Sequence, residues 1–196
     1  MPRKVDAAAR RQEVVAALYR VAVRDGLARV SLRTVADEAR LNIGSVRHYF
    51  DSQPELMRTA MRTMLDRVAD RVRVRLTALD VAAPPRARVA AAVALLAELL
   101  PLDQTRRDEV TVFLDFAALA RTSPELYDLA AEAAAGTRGA ARRVLAHVTG
   151  ARPDAVAVET LTSLVDGLGI NAVLHPDLVT AARAEKVLHA HLAALG

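Results

Sequence analysis

The sequence predicts an all-α fold. Apolar residues recur with the helical period of about 3.6 residues along nearly the whole chain, whereas the alternation that marks a half-buried strand is never sustained. β-Branched residues, which favour strands, are scattered among alanine and leucine. The breaks between periodic segments contain residues that end helices, such as Gly26, Pro101 and Pro176. We therefore expect helices joined by short connections and no sheet.

The first predicted helix runs from about Ala7 to Arg24, after a short basic arm at residues 2–6 that contains Lys4. One face of the helix is apolar and is expected to be buried: Val14, Leu18, Val21 and Ala22. Gly26 ends the helix, because glycine readily adopts the left-handed conformation that closes many helices.

Residues 31–50 predict two short helices separated by a tight turn. Ser31 is a suitable N-cap for the first helix, and Asn42 for the second, which is expected over Ile43–Phe50. The helical period breaks between them, where Leu41 is an apolar residue held in the turn. Two helices joined by so short a turn form a helix-turn-helix.

A long helix is predicted from Ser52 to about Leu79. Ser52 and Glu55 have the spacing of a capping box, in which each side chain binds a backbone N–H of the other residue. After the break at residues 81–85, five more helices are expected at about 86–100, 104–121, 124–148, 153–174 and 178–195. Ser123 and Asp177 are suitable residues to start the third and the fifth of these.

Charge is distributed unevenly along the chain. Residues 1–50 contain ten Lys or Arg and five Asp or Glu, a net charge of +5, whereas residues 51–196 are nearly balanced at −1. A basic excess in one segment is what binding to phosphates requires. We predict two domains, residues 1–51 and 52–196. Their boundary lies at the start of the long helix, which both share, so no flexible linker is needed.

Several classes of protein are excluded by composition and motif. The chain has no cysteine, which excludes disulfides and cysteine nucleophiles. Its five histidines form no His-Glu-x-x-His motif, and no Gly-x-Ser-x-Gly or phosphate loop is present. We therefore predict a protein that is not an enzyme and uses no metal or cofactor. Residues 89–97 form the longest apolar stretch, too short for a membrane span, and no signal peptide is visible, so a cytoplasmic protein without a membrane partner is expected.

The helix-turn-helix segment resembles the N-terminal domain of TetR-family transcriptional regulators. The resemblance rests on three motifs: Leu32-Arg33-x-Val35-Ala36-x-Glu38-Ala39, Gly44-Ser45-Val46-x-x-Tyr49-Phe50, and Ser52-x-x-Glu55-Leu56. Members usually have glycine where Arg40 stands, an aromatic residue where Arg47 stands and lysine where Gln53 stands. Arg40 is therefore expected in a left-handed conformation, which costs a non-glycine residue about 1–2 kcal/mol. Residues 164–168 are similar to the C-terminal domain of the betaine-type repressors of this family.

The resemblance implies a sequence-specific regulator that binds a palindromic operator on double-stranded DNA as a homodimer, most simply a repressor that a small-molecule effector releases. The second helix of the motif would then lie in the major groove. The residues expected to contact DNA are Arg33, Thr34, Ile43, Gly44, Ser45, Arg47, His48, Tyr49, Ser52 and Gln53. Arg47 can bind guanine in a bidentate manner or clamp a phosphate. His48 could instead fold against the core, and Tyr49 could serve only in packing.

Two further sets of residues are predicted in the C-terminal half. Because relatives dimerise through a four-helix bundle, an apolar stripe of the penultimate helix is expected at a homodimer interface: Leu161, Leu164, Val165 and Leu168. A cluster of aromatic and polar side chains is expected to line an effector pocket: Thr111, Phe113, Asp115, Phe116 and Tyr127. In both cases the alternative is packing inside one chain. The alternative function is that of a non-catalytic helical interaction or carrier protein whose basic N-terminus holds an acidic partner.

Overall fold

The computed structural model describes residues 7–195, so the predicted basic arm with Lys4 lies outside the described residues. Every regular element in the described part of the chain is helical, which confirms the predicted fold class. The helices are α1 (Ala7–Asp25), α2 (Leu32–Ala39), α3 (Ile43–Arg47), α4 (Gln53–Thr77), α5 (Pro85–Leu96), α6 (Gln104–Ala120), α7 (Pro124–Thr149), α8 (Ala155–Leu174) and α9 (Ala181–Ala193). Short 3₁₀ helices lie at Leu27–Arg29 and Ala97–Leu99.

Capping side chains set the starts of the helices around the turn motif. Ser31 Oγ accepts a hydrogen bond from the Thr34 backbone N–H, and Thr34 Oγ1 accepts one from the Ser31 backbone N–H, at 3.1 and 2.9 Å. Asn42 caps α3 as predicted. At α4, Ser52 Oγ accepts from the Glu55 N–H, whereas the Glu55 carboxylate accepts from Asp51, one residue before the predicted partner. Local hydrogen bonds therefore position all three helices of this region.

Two predicted boundaries are wrong. The second helix of the motif ends at Arg47 rather than Phe50, because the backbone turns at His48 and Tyr49. The last helix does not start at Asp177. Thr180 caps it, with its hydroxyl oxygen accepting a hydrogen bond from the Arg183 N–H at 3.2 Å.

The described chain forms two compact units. The first combines residues up to Met64 with residues 112–130, and the second combines 65–111 with the chain from residue 131 onward. Helices α4, α6 and α7 each have residues in both units. The predicted functional division at residues 51 and 52 stays a prediction, but the compact unit around the helix-turn-helix is larger than that domain.

Each unit has its own buried apolar residues. In the first, the predicted inner face of α1 is confirmed, since Val14, Leu18, Val21 and Ala22 are at most 1% exposed. In the second, α5, α7, α8 and α9 enclose one aliphatic core that includes Leu96, Val144, Leu161, Val165 and Leu188.

The dimer prediction for α8 selected the wrong side of the helix. Leu161, Val165 and Leu168 belong to the core of the second unit, and Leu164 packs against it. Side chains that their own chain already covers have no surface left for a partner. Leu161, Val165 and Leu168 therefore act as core residues of the chain, whereas Leu164 is half-buried and still exposes part of its side chain.

Helix α8 is also the one described helix that is long and apolar enough to cross a membrane by length and composition, with a mean hydropathy of 1.3. The sequence prediction, which took residues 89–97 as the longest apolar stretch, overlooked it. Core helices of soluble proteins pass the same test, and α8 contributes seven buried residues to its unit.

Arg40 adopts the predicted left-handed conformation, with φ 57° and ψ 40°, and is the only non-glycine residue with a positive φ in the described chain. We expect Arg40→Gly to raise the free energy of unfolding by about 1 kcal/mol, because glycine has no Cβ that could clash in this conformation. Urea denaturation measures the change. The control is Arg33→Gly within α2, which should lower the free energy of unfolding by a similar amount. Destabilisation by both substitutions would contradict the prediction.

Candidate nucleic-acid interface

Helix α3 has one buried face and one exposed face. Val46 and Phe50, the residue three positions after the helix end, are both 0% exposed and anchor this region in the first unit. Ile43, Gly44, Arg47 and His48 are exposed. The structure thus places four predicted DNA-binding residues together on one surface, and it contradicts the alternative in which His48 folds against the core.

The N-cap of α3 also shapes the chemistry of this surface. Asn42 Oδ1 accepts hydrogen bonds from the backbone N–H and from the hydroxyl of Ser45, at 2.7 and 3.0 Å. Since a serine hydroxyl has a single hydrogen, Ser45 Oγ is left as an acceptor for an outside donor. A Cβ at Gly44 would lie only 3.3 Å from the same Asn42 oxygen. Gly44 therefore preserves this cap, in addition to any close approach to DNA.

Tyr49 lies at the edge of the surface. Its side chain is half-buried, and its ring packs edge-on against the ring of His48, with the centroids 5.0 Å apart and the planes at 75°. The contact orients both aromatic side chains at the end of α3.

Arginines of the first unit divide into paired and free groups. Arg20 and Arg24 bind the Glu38 carboxylate at 2.6 and 2.7 Å and lower its pKa. Arg11 lies over the Phe50 ring and donates to Thr59 Oγ1 at 3.2 Å. Arg33 and Arg47 are exposed and form no ion pair with any described residue. Their charges remain available to an anionic ligand.

An open cleft of 710 Å³ lies beside the starts of α2 and α4. Its lining includes the predicted contacts Thr34 and Gln53, together with Asp25, Ala28, Arg29, Val30 and Ser31. The Thr34 hydroxyl already donates to the Arg29 carbonyl at 3.0 Å, so it can only accept from a ligand. Arg29 was not among the residues that the sequence predicted to contact DNA. Arg29 reaches the cleft because of the 3₁₀ turn before α2, and no local sequence pattern predicts that turn.

The combined surface suits a duplex. A helix with exposed polar and cationic side chains can enter the major groove, and helix starts on either side can contact phosphates. In the described part of the chain, no group of three or more His, Asp or Glu is placed to hold a metal ion.

Comparison with known proteins identifies the chain. Residues 85–196 match the profile of the C-terminal domain of BetI-type transcriptional repressors. The HTH-type transcriptional regulator PksA of Bacillus subtilis is 30% identical over 98% of this chain and 92% of its own length. The chain belongs to the TetR family.

Solved structures of similar proteins support this. A transcriptional regulator from Rhodococcus sp. RHA1 superposes with a TM-score of 0.78 at 30% identity, covering 94% of this chain and 95% of its own. The multidrug binding protein EbrR, solved with imidazole, gives a TM-score of 0.66 at 28% identity and covers 93% and 94%. This TetR-family chain is therefore a transcriptional regulator and not an enzyme, as predicted.

The predicted effector residues lie in different environments, and an effector pocket among them stays a prediction. The Thr111 hydroxyl donates to the Arg107 carbonyl. Phe113 and Phe116 are neighbours, with ring centroids 6.2 Å apart, but Phe116 is fully buried and Tyr127 is 66% exposed. Asp115 binds the backbone of Leu27. Phe116 is therefore a core residue, and Tyr127 is too exposed to line an enclosed pocket.

Proposed function

We propose that this TetR-family regulator is a homodimeric repressor, which binds a pseudo-palindromic operator and leaves it when a small-molecule effector binds. The observation that supports DNA reading most directly is the exposed surface of α3, which carries Gly44, Arg47 and His48 and has the half-buried Ser45 beside them, while Val46 is buried beneath. Ile43 adds an apolar group, 41% exposed, that suits a thymine methyl. We also propose a cytoplasmic location, which membership of a family of transcriptional regulators supports.

The proposed contacts fall into two classes. Arg47 and Ser45 face base edges and give sequence preference, with Gly44 allowing close approach and His48 and Tyr49 reaching the adjacent backbone. The remaining predicted residues are proposed phosphate contacts at the starts of α2 and α4: Arg33, Thr34, Ser52 and Gln53. Of these, Gln53 lines the cleft beside Ser31, where its side-chain amide can donate to a phosphate, and Thr34 can donate to one only by giving up its hydrogen bond to the Arg29 carbonyl.

The outward side of α8 supports the proposed homodimer. Val156, Ile170 and Leu174 are 74%, 39% and 61% exposed, and with Gly167 they follow one stripe of the helix. A Cβ built at Gly167 meets no atom within 4 Å, so a second helix can approach there. We propose this stripe, in place of the buried leucines, as the part of α8 that contacts a second copy of the chain.

Release by an effector is supported by the relatives. The matching C-terminal profile is that of repressors, and EbrR, a multidrug binding protein, was solved with imidazole and with proflavin. An effector would act by binding the DNA-free state more tightly than the DNA-bound state.

Selection of binding sites from random duplex DNA tests the proposal. We expect enrichment of two inverted half-sites whose centres are at least ~34 Å apart, with two copies of the chain per duplex by analytical ultracentrifugation. A panel of organic cations and metabolites is then screened for release of the selected duplex. Salt-dependent binding without any enriched sequence would favour the alternative, a protein whose basic N-terminus holds acidic partners in general.

A further inference from the structure

Residues 112–130 belong to the same compact unit as the helix-turn-helix, although about 50 residues of chain separate them from Met64. They comprise the end of α6, the turn after it and the start of α7. Phe116, Leu126 and Leu129 are buried there, which fixes this corner of the chain by apolar packing. Two polar contacts then connect it to the segments on either side of α2 and α3.

The first contact is made by Asp115 on α6. Its Oδ2 atom accepts a hydrogen bond from the Leu27 backbone N–H at 2.9 Å. Leu27 begins the 3₁₀ turn that leads into α2, and Gly26, the N-cap of this turn, provides no side chain to bind its free N–H groups. Asp115 therefore supplies from 88 residues away the cap that the local sequence lacks.

The capped turn is tied directly to the start of α2. Arg29, its last residue, accepts through its carbonyl a hydrogen bond from Thr34 Oγ1, which also completes the capping box with Ser31. A shift of this turn would therefore move the N-terminus of α2.

The second contact joins the corner to α4. Arg58 donates to both carboxylate oxygens of Asp128, at 2.7 and 2.6 Å, and to the Glu125 carbonyl at 2.5 Å. Arg58 lies in the second turn of α4, shortly after Gln53. The guanidinium lowers the pKa of Asp128 to about 2, so the pair stays ionised at neutral pH and is lost only when strong acid protonates the carboxylate.

We propose that Asp115 and the Arg58–Asp128 pair are positioning residues for DNA binding, which hold the starts of α2 and α4 in the spacing that a duplex requires. The proposal rests on the DNA-binding function proposed above. It extends the DNA-binding apparatus to side chains that touch no DNA, two of which, Asp115 and Asp128, lie more than 60 residues beyond the helix-turn-helix.

The test compares Asp115→Ala with Asp115→Asn, which keeps an acceptor oxygen. Hydrogen exchange of peptides spanning residues 24–31 is measured, together with affinity for a duplex selected by the wild-type protein. We expect Asp115→Ala to speed exchange about tenfold and to weaken binding about fivefold to tenfold. Asp115→Asn should retain most of the wild-type protection from exchange and most of the affinity. Asp108→Ala on the same helix is the control, because it removes the same charge without touching Leu27.

The direction of the effect separates positioning from electrostatics. Loss of an acidic residue makes the protein more basic, and by charge alone it should tighten binding to DNA; we expect this of Asp108→Ala and the opposite of Asp115→Ala. For the second contact, Asp128→Arg should weaken binding, and adding Arg58→Asp should restore part of it by re-forming the pair.

The proposal would be overturned if Asp115→Ala left exchange unchanged, or if it sped exchange without changing affinity. Equal losses of affinity in the alanine and asparagine variants would also overturn it. A wild-type protein that enriches no duplex refutes the proposed function instead. Faster exchange in Asp115→Ala would then still establish the cap on Leu27, but no role in DNA binding.

Discussion

Arg47→Ala is expected to remove most of the preference of this regulator for its operator over random duplex. Arg47 is exposed on α3, pairs with no described acid and stands where relatives have an aromatic residue. A bidentate contact with guanine contributes about 1–3 kcal/mol of discrimination, so the ratio of specific to non-specific affinity should fall by roughly 5-fold to 150-fold. Competition binding at fixed salt measures both affinities.

Arg33→Ala is the matched control for this experiment. Arg33 is also exposed and unpaired among the described residues, but it lies at the start of α2, where a phosphate contact is proposed. Its loss should weaken both affinities about equally and should reduce the slope of log K against log salt by about one. If Arg47→Ala behaves in the same way, Arg47 clamps a phosphate and specificity comes from elsewhere on α3.

Elements with local causes could be predicted from the sequence. Several helix limits are set by residues next to them in sequence: the caps at Ser31 and Asn42, the glycine after α1 and the prolines between later helices. The predicted limits therefore lie within about four residues of those observed. The conformation of Arg40 was also predictable from the resemblance, because members of the family usually have glycine at this position.

Features that depend on distant contacts could not be predicted. Asp115 looked like a polar member of an aromatic pocket, since Phe113 and Phe116 are its neighbours in sequence, yet its carboxylate caps Leu27. The predicted dimer interface on α8 was misplaced for a related reason. This helix has apolar residues on its inward and its outward side, with Leu161 buried and Leu174 exposed, and periodicity alone does not say which stripe faces the core of the subunit.

The Glu98 carboxylate, in the second unit, is a buried charge that sequence reasoning also passed over. Glu98 is 8% exposed, and three arginines surround it: Arg75 Nε at 2.9 Å, Arg71 Nε at 3.3 Å and Arg106 Nη1 at 3.7 Å. Arg71 also binds both oxygens of Glu109, and this contact raises the pKa of the Arg71 guanidinium. The network connects α4 with the end of α5 and the start of α6.

Glu98→Gln is expected to lower the free energy of unfolding by about 2–3 kcal/mol. Glutamine keeps the shape of the side chain but leaves three guanidinium groups facing one another without the central negative charge. Removing one partner of a fully buried ion pair costs about 3–5 kcal/mol. The expected value is smaller here because the arginine side chains are 21–50% exposed and water screens part of the repulsion. Urea denaturation at a fixed protein concentration measures the change, since guanidinium salts would screen the network.

Glu159→Gln provides the comparison that makes this prediction specific. Glu159 binds Arg138 at 2.7 and 2.9 Å, a geometry as good as that around Glu98, but both side chains are about half exposed. If burial decides the contribution of an ion pair, Glu159→Gln should change stability far less than Glu98→Gln, although each removes one carboxylate from a helix. Equal effects would show that bond geometry outweighs burial, and the arginine cluster around Glu98 would then be an ordinary surface network rather than the electrostatic centre that holds α4 against α5 and α6.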